Sequence, residues 1–248
     1  MKISIITATY NSEKSIKTCL DSVISQDYSD IEYIIIDGKS LDQTLNIING
    51  YQQKYSNIKL ISESDQGIYH ALNKGVKLAV GDVIGFVHSD DLLANKHIVS
   101  ELVNLIKVKQ LDGLYGDLQY VDKFDLNKVI RLWKSSKFKK SLLKKGWMPA
   151  HPTLFLKKNI YKKHGVFNLN YKISADYDFM LRILKDNTLN FEYLPKVITK
   201  MRVGGASNRS LKNIIQKTIE DYHIVRSNNI GGFTTVILKN ISKIKQFF

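Results

Sequence analysis

Carboxylates stand at the ends of apolar runs through the first third of the chain. Asp37 closes IEYIIID, Glu63 and Asp65 follow NIKLIS, and Asp90 and Asp91 end the run in GFVHSDDLL, with His88 just before them. Further on, His151 lies in PAHPTLF and Asp176 and Asp178 lie in ISADYDFMLRI. Adjacent carboxylates suit a hard divalent cation, because Mg²⁺ and Mn²⁺ prefer oxygen ligands and are usually held by one or two carboxylates plus substrate phosphates. Each residue also has a plain structural reading. Ser89 or Asp90 suits a helix N-cap, with Asp91 favoured by the helix dipole. Asp37 ahead of Gly38 suits a turn, and Asp176 and Asp178 suit the first turn of a helix.

The common alternatives are missing. No GxGxxG follows the first apolar run and no GxxxxGK[ST] occurs, so neither a dinucleotide fingerprint nor a P-loop is present. There is no GxSxG and no HExxH.

The elements that must position these residues alternate. KISIITATY, IEYIIIDG, NIKLISE and DVIGFVHSDD read as strands. Between them lie SEKSIKTCLDSVISQ, LDQTLNIINGYQQKY and IYHALNKGVKLAV, with helical spacing of apolar residues, and a fourth helix is expected from about Lys96 to Lys109. Strands that are apolar throughout and separated by helices imply a parallel sheet covered on both faces. Ligands of such sheets bind outside the carboxyl ends of the strands. That rule places Thr9, Tyr10, Asp37, Glu63, Asp65, Asp90 and Asp91 on one rim. In the second half, LYGDLQYVD, VIRLWKS and FEYLPKVITKMRV read as strands. ISADYDFMLRILKDN reads as a helix capped at Ser174, and another helix is expected from about Leu211 to Ser227.

The chain of 248 residues carries 37 Lys and Arg against 23 Asp and Glu, a formal charge of +14, which favours anionic partners. The single cysteine, Cys19, excludes an internal disulfide and fits a reducing compartment. Its apolar helical surroundings predict a buried, inert thiol. No run approaches the roughly 18–20 apolar residues that span a bilayer.

Taken together, strand-TATYN, strand-IIIDGKSLDQT, ESDQGIYHALNKGVKLAVGDVIGFVHSDD, HPTLF and ADYDFMLRI, in this order and spacing, resemble the family-2 inverting glycosyltransferases of GT-A fold. The resemblance covers roughly residues 2–205 and is especially close to bacterial enzymes that assemble O-antigen, capsule and other surface polysaccharides. It implies an α/β, Rossmann-like, mostly parallel sheet flanked by helices. The catalytic domain would span 1–205, with a basic helical extension at 206–248. Ala8, Thr9 and Tyr10 would line the base and ribose pocket, with Asp37 on the base. Asp65 would help hold the nucleoside, and Asp90 and Asp91 would bind the donor diphosphate through Mg²⁺ or Mn²⁺. Asp176 aligns with the catalytic base, and His151 and Arg202 fall in segments near the acceptor. Two positions depart from the family pattern. His88 stands where an acid or amide is common, although imidazole can still ligate Mn²⁺ or contact ribose. Ala175 precedes Asp176 where Glu is usual.

The resemblance implies a UDP-sugar donor and a polyprenyl-diphosphate-linked saccharide acceptor. The basic stretch at 131–147 interleaves Trp133, Phe138, Leu142, Leu143 and Trp147 with lysines, which suits an interfacial segment on anionic lipid. The C-terminal VILKNISKIKQFF has the same character. The expected location is therefore cytoplasmic, peripheral at the inner face of the membrane, with the charge explained without nucleic acid. Two rivals stand beside this reading. A nucleotidyltransferase would carry a Gly-rich basic loop after the first strand, where TATYNSEKS stands instead. A basic nucleic-acid-binding or membrane-scaffold protein would be indifferent to Asp91 and Asp176.

Overall fold

The structure is a computed structural model and describes residues 1–204 and 211–244. The first half is the expected alternation: β1 (Ile3–Thr9), α1 (Ile16–Ile24), β2 (Ile31–Asp37), α2 (Thr44–Gln52), β3 (Ile58–Ser62), α3 (Ile68–Leu78) and β4 (Val83–Phe86). A short β5 (Asp91–Leu93) and α4 (Ile98–Val108) follow, then β6 (Gly113–Val121) and β7 (Val129–Trp133). After two 3₁₀ turns, Lys140–Lys145 and His151–Thr153, come β8 (Phe155–Lys157), α5 (Lys158–His164), α6 (Ala175–Leu184), β9 (Phe191–Arg202), α7 (Leu211–Ser227) and α8 (Phe233–Ile244).

One sheet runs in the order β3-β2-β1-β4-β8-β6-β9-β5, with β7 attached to β6. β1 to β4 pair in parallel, and β6 pairs in parallel with β9. The short strands β5, β7 and β8 supply the antiparallel pairs. Residues of β1 and β2 are buried along their whole length because both faces are covered. Ile3 and Ile5 belong to one core cluster, with Cys19 and Leu20 of α1. Ile6 and Ala8 belong to the opposite one, with Leu72 and Val76 of α3. This is the two-residue alternation of a strand. Glycine permits the closest contact of the sheet: a Cβ on Gly85 would lie 2.1 Å from Cε1 of Phe155.

Ile224 and Val225 of α7 and Val236 of α8 are buried in the cluster that holds Ile6 and Phe179. The C-terminal helix pair therefore shares the core of the sheet. The stretch at 131–147 differs from its expected interfacial role. Leu143 is buried, and Phe138 and Trp147 pack against the main core and stack on each other. Its lysines stay outside while these apolar side chains turn inward. Exposed apolar residues include Val129, Ile130 and Leu132 of β7 and, on α7 and α8, Ile215, Ile219, Phe233 and Leu238. Among the described residues no helix is long and apolar enough to cross a membrane.

Candidate functional site

The carboxyl ends of β1, β2 and β4 are drawn together by loop hydrogen bonds. Asn11, in left-handed conformation at φ 48°, donates its N–H to Ser40 Oγ and accepts from Leu41 N at 2.8 Å. Ser12 Oγ lies 2.9 Å from Ser89 Oγ, which ties the loop after β1 to the HSDD segment. Neither Asn11 nor Ser12 was singled out in the sequence; TYNS has short polar residues that suit a turn, but nothing names their partners.

Three rim residues meet beside this junction. A Cβ on Gly38 would stand 2.8 Å from Asp65 Oδ2 and 3.4 Å from the Tyr10 ring, so these three residues converge. Tyr10 is exposed and free to stack, and Asp65 Oδ1 is held by Gly67 N at 2.8 Å. Thr9 is buried at the bottom of the rim, and its hydroxyl has no hydrogen-bond partner among the described residues. Ala8 packs its side chain in the core beneath the rim. Asp37 is fully buried, and its carboxylate accepts from Ser40 N, Ser40 Oγ and Ser62 Oγ, which ties the ends of β2 and β3 together. Glu63 pairs with Lys74 at 2.8 Å.

The HSDD segment is not a helix cap. α4 begins at Ile98, after His97, and Asp91 opens β5, which pairs antiparallel with β9. Asp91 is 1% exposed, and neither carboxylate oxygen has a hydrogen-bond partner among the described residues. Burial pushes this carboxyl well above the usual range; the neighbouring Asp90 adds to the rise and the Arg202 guanidinium opposes it. A buried carboxylate with both oxygens orphaned is costly unless a cation meets it. That is the observation by which Asp90 and Asp91 fit a divalent ion completed by phosphate oxygens. No cluster of three or more His, Cys, Asp or Glu positioned for a metal occurs among the described residues.

Arg202 departs from its expected acceptor contact. Nη1 donates to the Asp90 carbonyl at 2.6 Å and Nη2 to Thr18 Oγ1 at 2.7 Å. One N–H of each terminal nitrogen holds the HSDD loop against α1, and the side chain is buried. Thr18 is thus a supporting residue the sequence did not mark.

Asp176 lies in the first turn of α6, half-buried. Ser174 holds the N-cap position, but its hydroxyl makes no cap hydrogen bond. The Tyr69 hydroxyl of α3, whose one proton is shared between the Ile173 carbonyl at 2.7 Å and Asp176 Oδ1 at 3.1 Å, contacts that carboxylate oxygen, and Tyr177 N donates to it at 2.8 Å. Among the described residues both contacts fall on Oδ1, which leaves Oδ2 for another proton. Asp178 is structural: it accepts from Arg182 Nε at 2.9 Å and from Asn228 Nδ2 at 3.1 Å.

Two histidines connect the halves of the site. The His88 and His151 rings lie 6.0 Å apart, and His151 also packs on Phe86 and Phe167. Burial lowers His151 to about 4, opposed by the charge of Asp176. Burial lowers His88 too, opposed by Asp90 and Asp176.

Comparison with known proteins gives the family. Residues 4–166 match the family model described as glycosyl transferase family 2. The chain belongs to that family. A PGL/p-HBAD biosynthesis glycosyltransferase of Mycobacterium tuberculosis is 30% identical over 215 residues, covering 83% of this chain and 78% of the relative. A poly(ribitol-phosphate) beta-glucosyltransferase of Bacillus spizizenii is 32% identical over 226 residues, 79% of this chain but 34% of that longer protein. The structure of S. aureus TarS 1-349 in complex with UDP-GlcNAc superposes with a TM-score of 0.74 at 24% identity, over 92% of this chain and 65% of that one. That likeness shows the GT-A type fold. This family-2 chain is a glycosyltransferase whose relatives build cell-surface glycans. Asp176 lies beyond the matched residues, so its position rests on α6 and on Tyr69.

Proposed function

We propose that the chain is a metal-dependent, inverting glycosyltransferase that moves a sugar from a UDP-sugar to a lipid-linked saccharide in bacterial surface polysaccharide synthesis of the O-antigen or capsule type. The observation that carries this reading is the buried Asp91, whose carboxylate oxygens have no hydrogen-bond partner among the described residues, together with Asp176, whose contacts among those residues fall on Oδ1 alone.

The uridine lies where Tyr10, Gly38 and Asp65 meet, with the ring stacked on Tyr10. Asp90 and Asp91 would hold Mg²⁺ or Mn²⁺ against the diphosphate, where the ion supplies positive charge to the departing nucleotide. Arg202 keeps that loop in place from behind. Asp176 takes the proton from an acceptor hydroxyl as its oxygen bonds to the anomeric carbon. The bond from that carbon to the diphosphate oxygen breaks on the opposite face, and the nucleoside diphosphate leaves with the electron pair. A single displacement inverts the centre, through the oxocarbenium-like transition state familiar from glycoside hydrolysis.

His151 is neutral near pH 7 and lines the apolar wall beside Asp176, where it orients the acceptor. The exposed Ile215, Ile219, Phe233 and Leu238 of α7 and α8, in a chain of charge +14, suit peripheral contact with an anionic inner leaflet that carries polyprenyl-diphosphate acceptors.

The test is a screen of UDP-sugars with membranes containing lipid-linked saccharides, with and without EDTA. Transfer from one UDP-sugar, abolished by EDTA and restored by Mg²⁺ or Mn²⁺, is expected. Full activity in EDTA refutes the metal role, and transfer from no UDP-sugar refutes the donor.

A further inference from the structure

The segment that leads into Asp176 is held from outside the first 204 residues. Glu220 of α7 is 4% exposed, and its carboxylate gathers three consecutive backbone N–H groups. Lys172 N donates to Oε1 at 3.0 Å, and Ile173 N and Ser174 N donate to Oε2 at 2.9 Å each. Gln216 Nε2 completes the set on Oε1 at 2.9 Å. An anion is favoured here because unpaired N–H groups and the helix dipole converge at the start of α6.

The same peptide that Glu220 grips also reaches Asp176. Ser174 gives that peptide's N–H to Glu220, and the carbonyl of the same peptide, that of Ile173, accepts from Tyr69 Oη at 2.7 Å. Tyr69 Oη is also 3.1 Å from Asp176 Oδ1. On the other side of Asp176, the ring of Tyr177 carries the ammonium of Lys239 at 3.3 Å from its centroid. Lys239, from α8, is 3% exposed and pairs with fully buried Asp221 at 2.7 Å. The residues before and after Asp176 are thus both fixed by the C-terminal helix pair.

We propose that Glu220 is a positioning residue for glycosyl transfer, setting the Asp176 carboxylate through the Lys172–Ser174 backbone and Tyr69. The inference rests on the reading of Asp176 as the base. A Gln at 220 keeps the shape but turns an amide NH₂ toward backbone N–H donors, so part of the clamp is lost and the α6 entry shifts. Misplacement of a reacting group by about 1 Å can cost on the order of a hundredfold in rate.

The experiment measures transfer to acceptor membranes, starting with labelled UDP-N-acetylglucosamine and continuing with whichever UDP-sugar the donor screen selects. Glu220→Gln is expected to lower kcat by about tenfold to a hundredfold with the donor KM within about twofold. In the double variant with Asp176→Asn, the second change is expected to cost nothing further, because Glu220 acts only through that carboxylate. An unchanged kcat in Glu220→Gln overturns the proposal, as do losses that multiply in the double variant. If Glu220→Gln does not fold, Glu220→Asp keeps the charge on a shorter arm. It should lower kcat at unchanged donor KM, and an unchanged kcat there also overturns the proposal. An Asp176→Asn enzyme with wild-type activity would instead show that the assignment of the base has failed.

Discussion

Replacing Arg202 by Met separates a strut of the donor site from an acceptor contact. Met reaches only to about the position of Arg Nε and carries no charge, so it keeps the packing of the aliphatic stem but gives up the donations to the Asp90 carbonyl and to Thr18 Oγ1. Hydrogen bonds from a charged donor are worth roughly 1.5–3 kcal/mol each. Taking the low end for both gives a loss of about 3 kcal/mol, or roughly 6–12 °C in Tm for a chain of this size. The change also removes the positive charge that opposes the crowding of Asp90 against buried Asp91. The HSDD loop should loosen where the donor diphosphate is held. The donor KM is then expected to rise by about tenfold, as expected when a clamp shifts by part of an ångström. The acceptor KM should stay within about twofold, since neither guanidinium contact faces an acceptor. Thermal melting and steady-state kinetics, varying donor and acceptor separately, make the check. A raised acceptor KM with unchanged donor KM and Tm would refute the strut role.

Two further perturbations follow from packing and burial. His151 binds a proton at about 4 in the fold against 6.5 when exposed, so the unfolded chain holds more protons between these values. Its contribution to stability is full above about pH 6.5 and is lost as pH falls toward 4, about 3 kcal/mol in all. His151→Gln, measured by melting across that window, should gain on the wild type as pH falls; a constant difference would count against the buried neutral imidazole. Gly85→Ala places a methyl 2.1 Å from the Phe155 ring, itself fully buried, and should cost about 1–3 kcal/mol by overpacking. Phe155→Leu in the same chain should recover part of that loss in denaturant unfolding, and full tolerance of Gly85→Ala alone would disprove the close contact.

Much of the first half was legible because its signals are local. The β-branched runs of β1, β2 and β4 and the 3.6-residue spacing of α1 and α3 fix their own element types, and the rim of carboxylates follows from the parallel order. Direction within an element was less legible. Ala8 and Thr9 are neighbours on a strand covered on both faces, so the pattern does not say which side chain meets a ligand. Asp37 does end β2 at the rim, but its bonds to Ser40 and Ser62 are not readable from the sequence run it closes. The partners of Arg202 lie 112 and 184 residues away in sequence, beyond any local pattern. The lysine-aromatic mixture at 131–147 has a lipid-interface composition, yet Leu143 and Trp147 turn into the core because β7 and the following 3₁₀ turn fold back over it. Cys19 behaved as its surroundings dictate, fully buried with its thiol pushed up to about 12 by desolvation.

In the proposed mechanism Asp176 takes the acceptor proton while Asp90 and Asp91 hold the donor diphosphate. The most direct measurement is single-turnover transfer by Asp176→Asn, with donor binding followed separately by calorimetry with UDP. The amide keeps the size and can still accept from Tyr69 and Tyr177 N, so the donor site is left undisturbed. The account predicts UDP affinity within about twofold of wild type and a transfer rate lower by roughly 10²–10⁴, the usual worth of general-base catalysis. A transfer rate within twofold of wild type at intact UDP binding would contradict it.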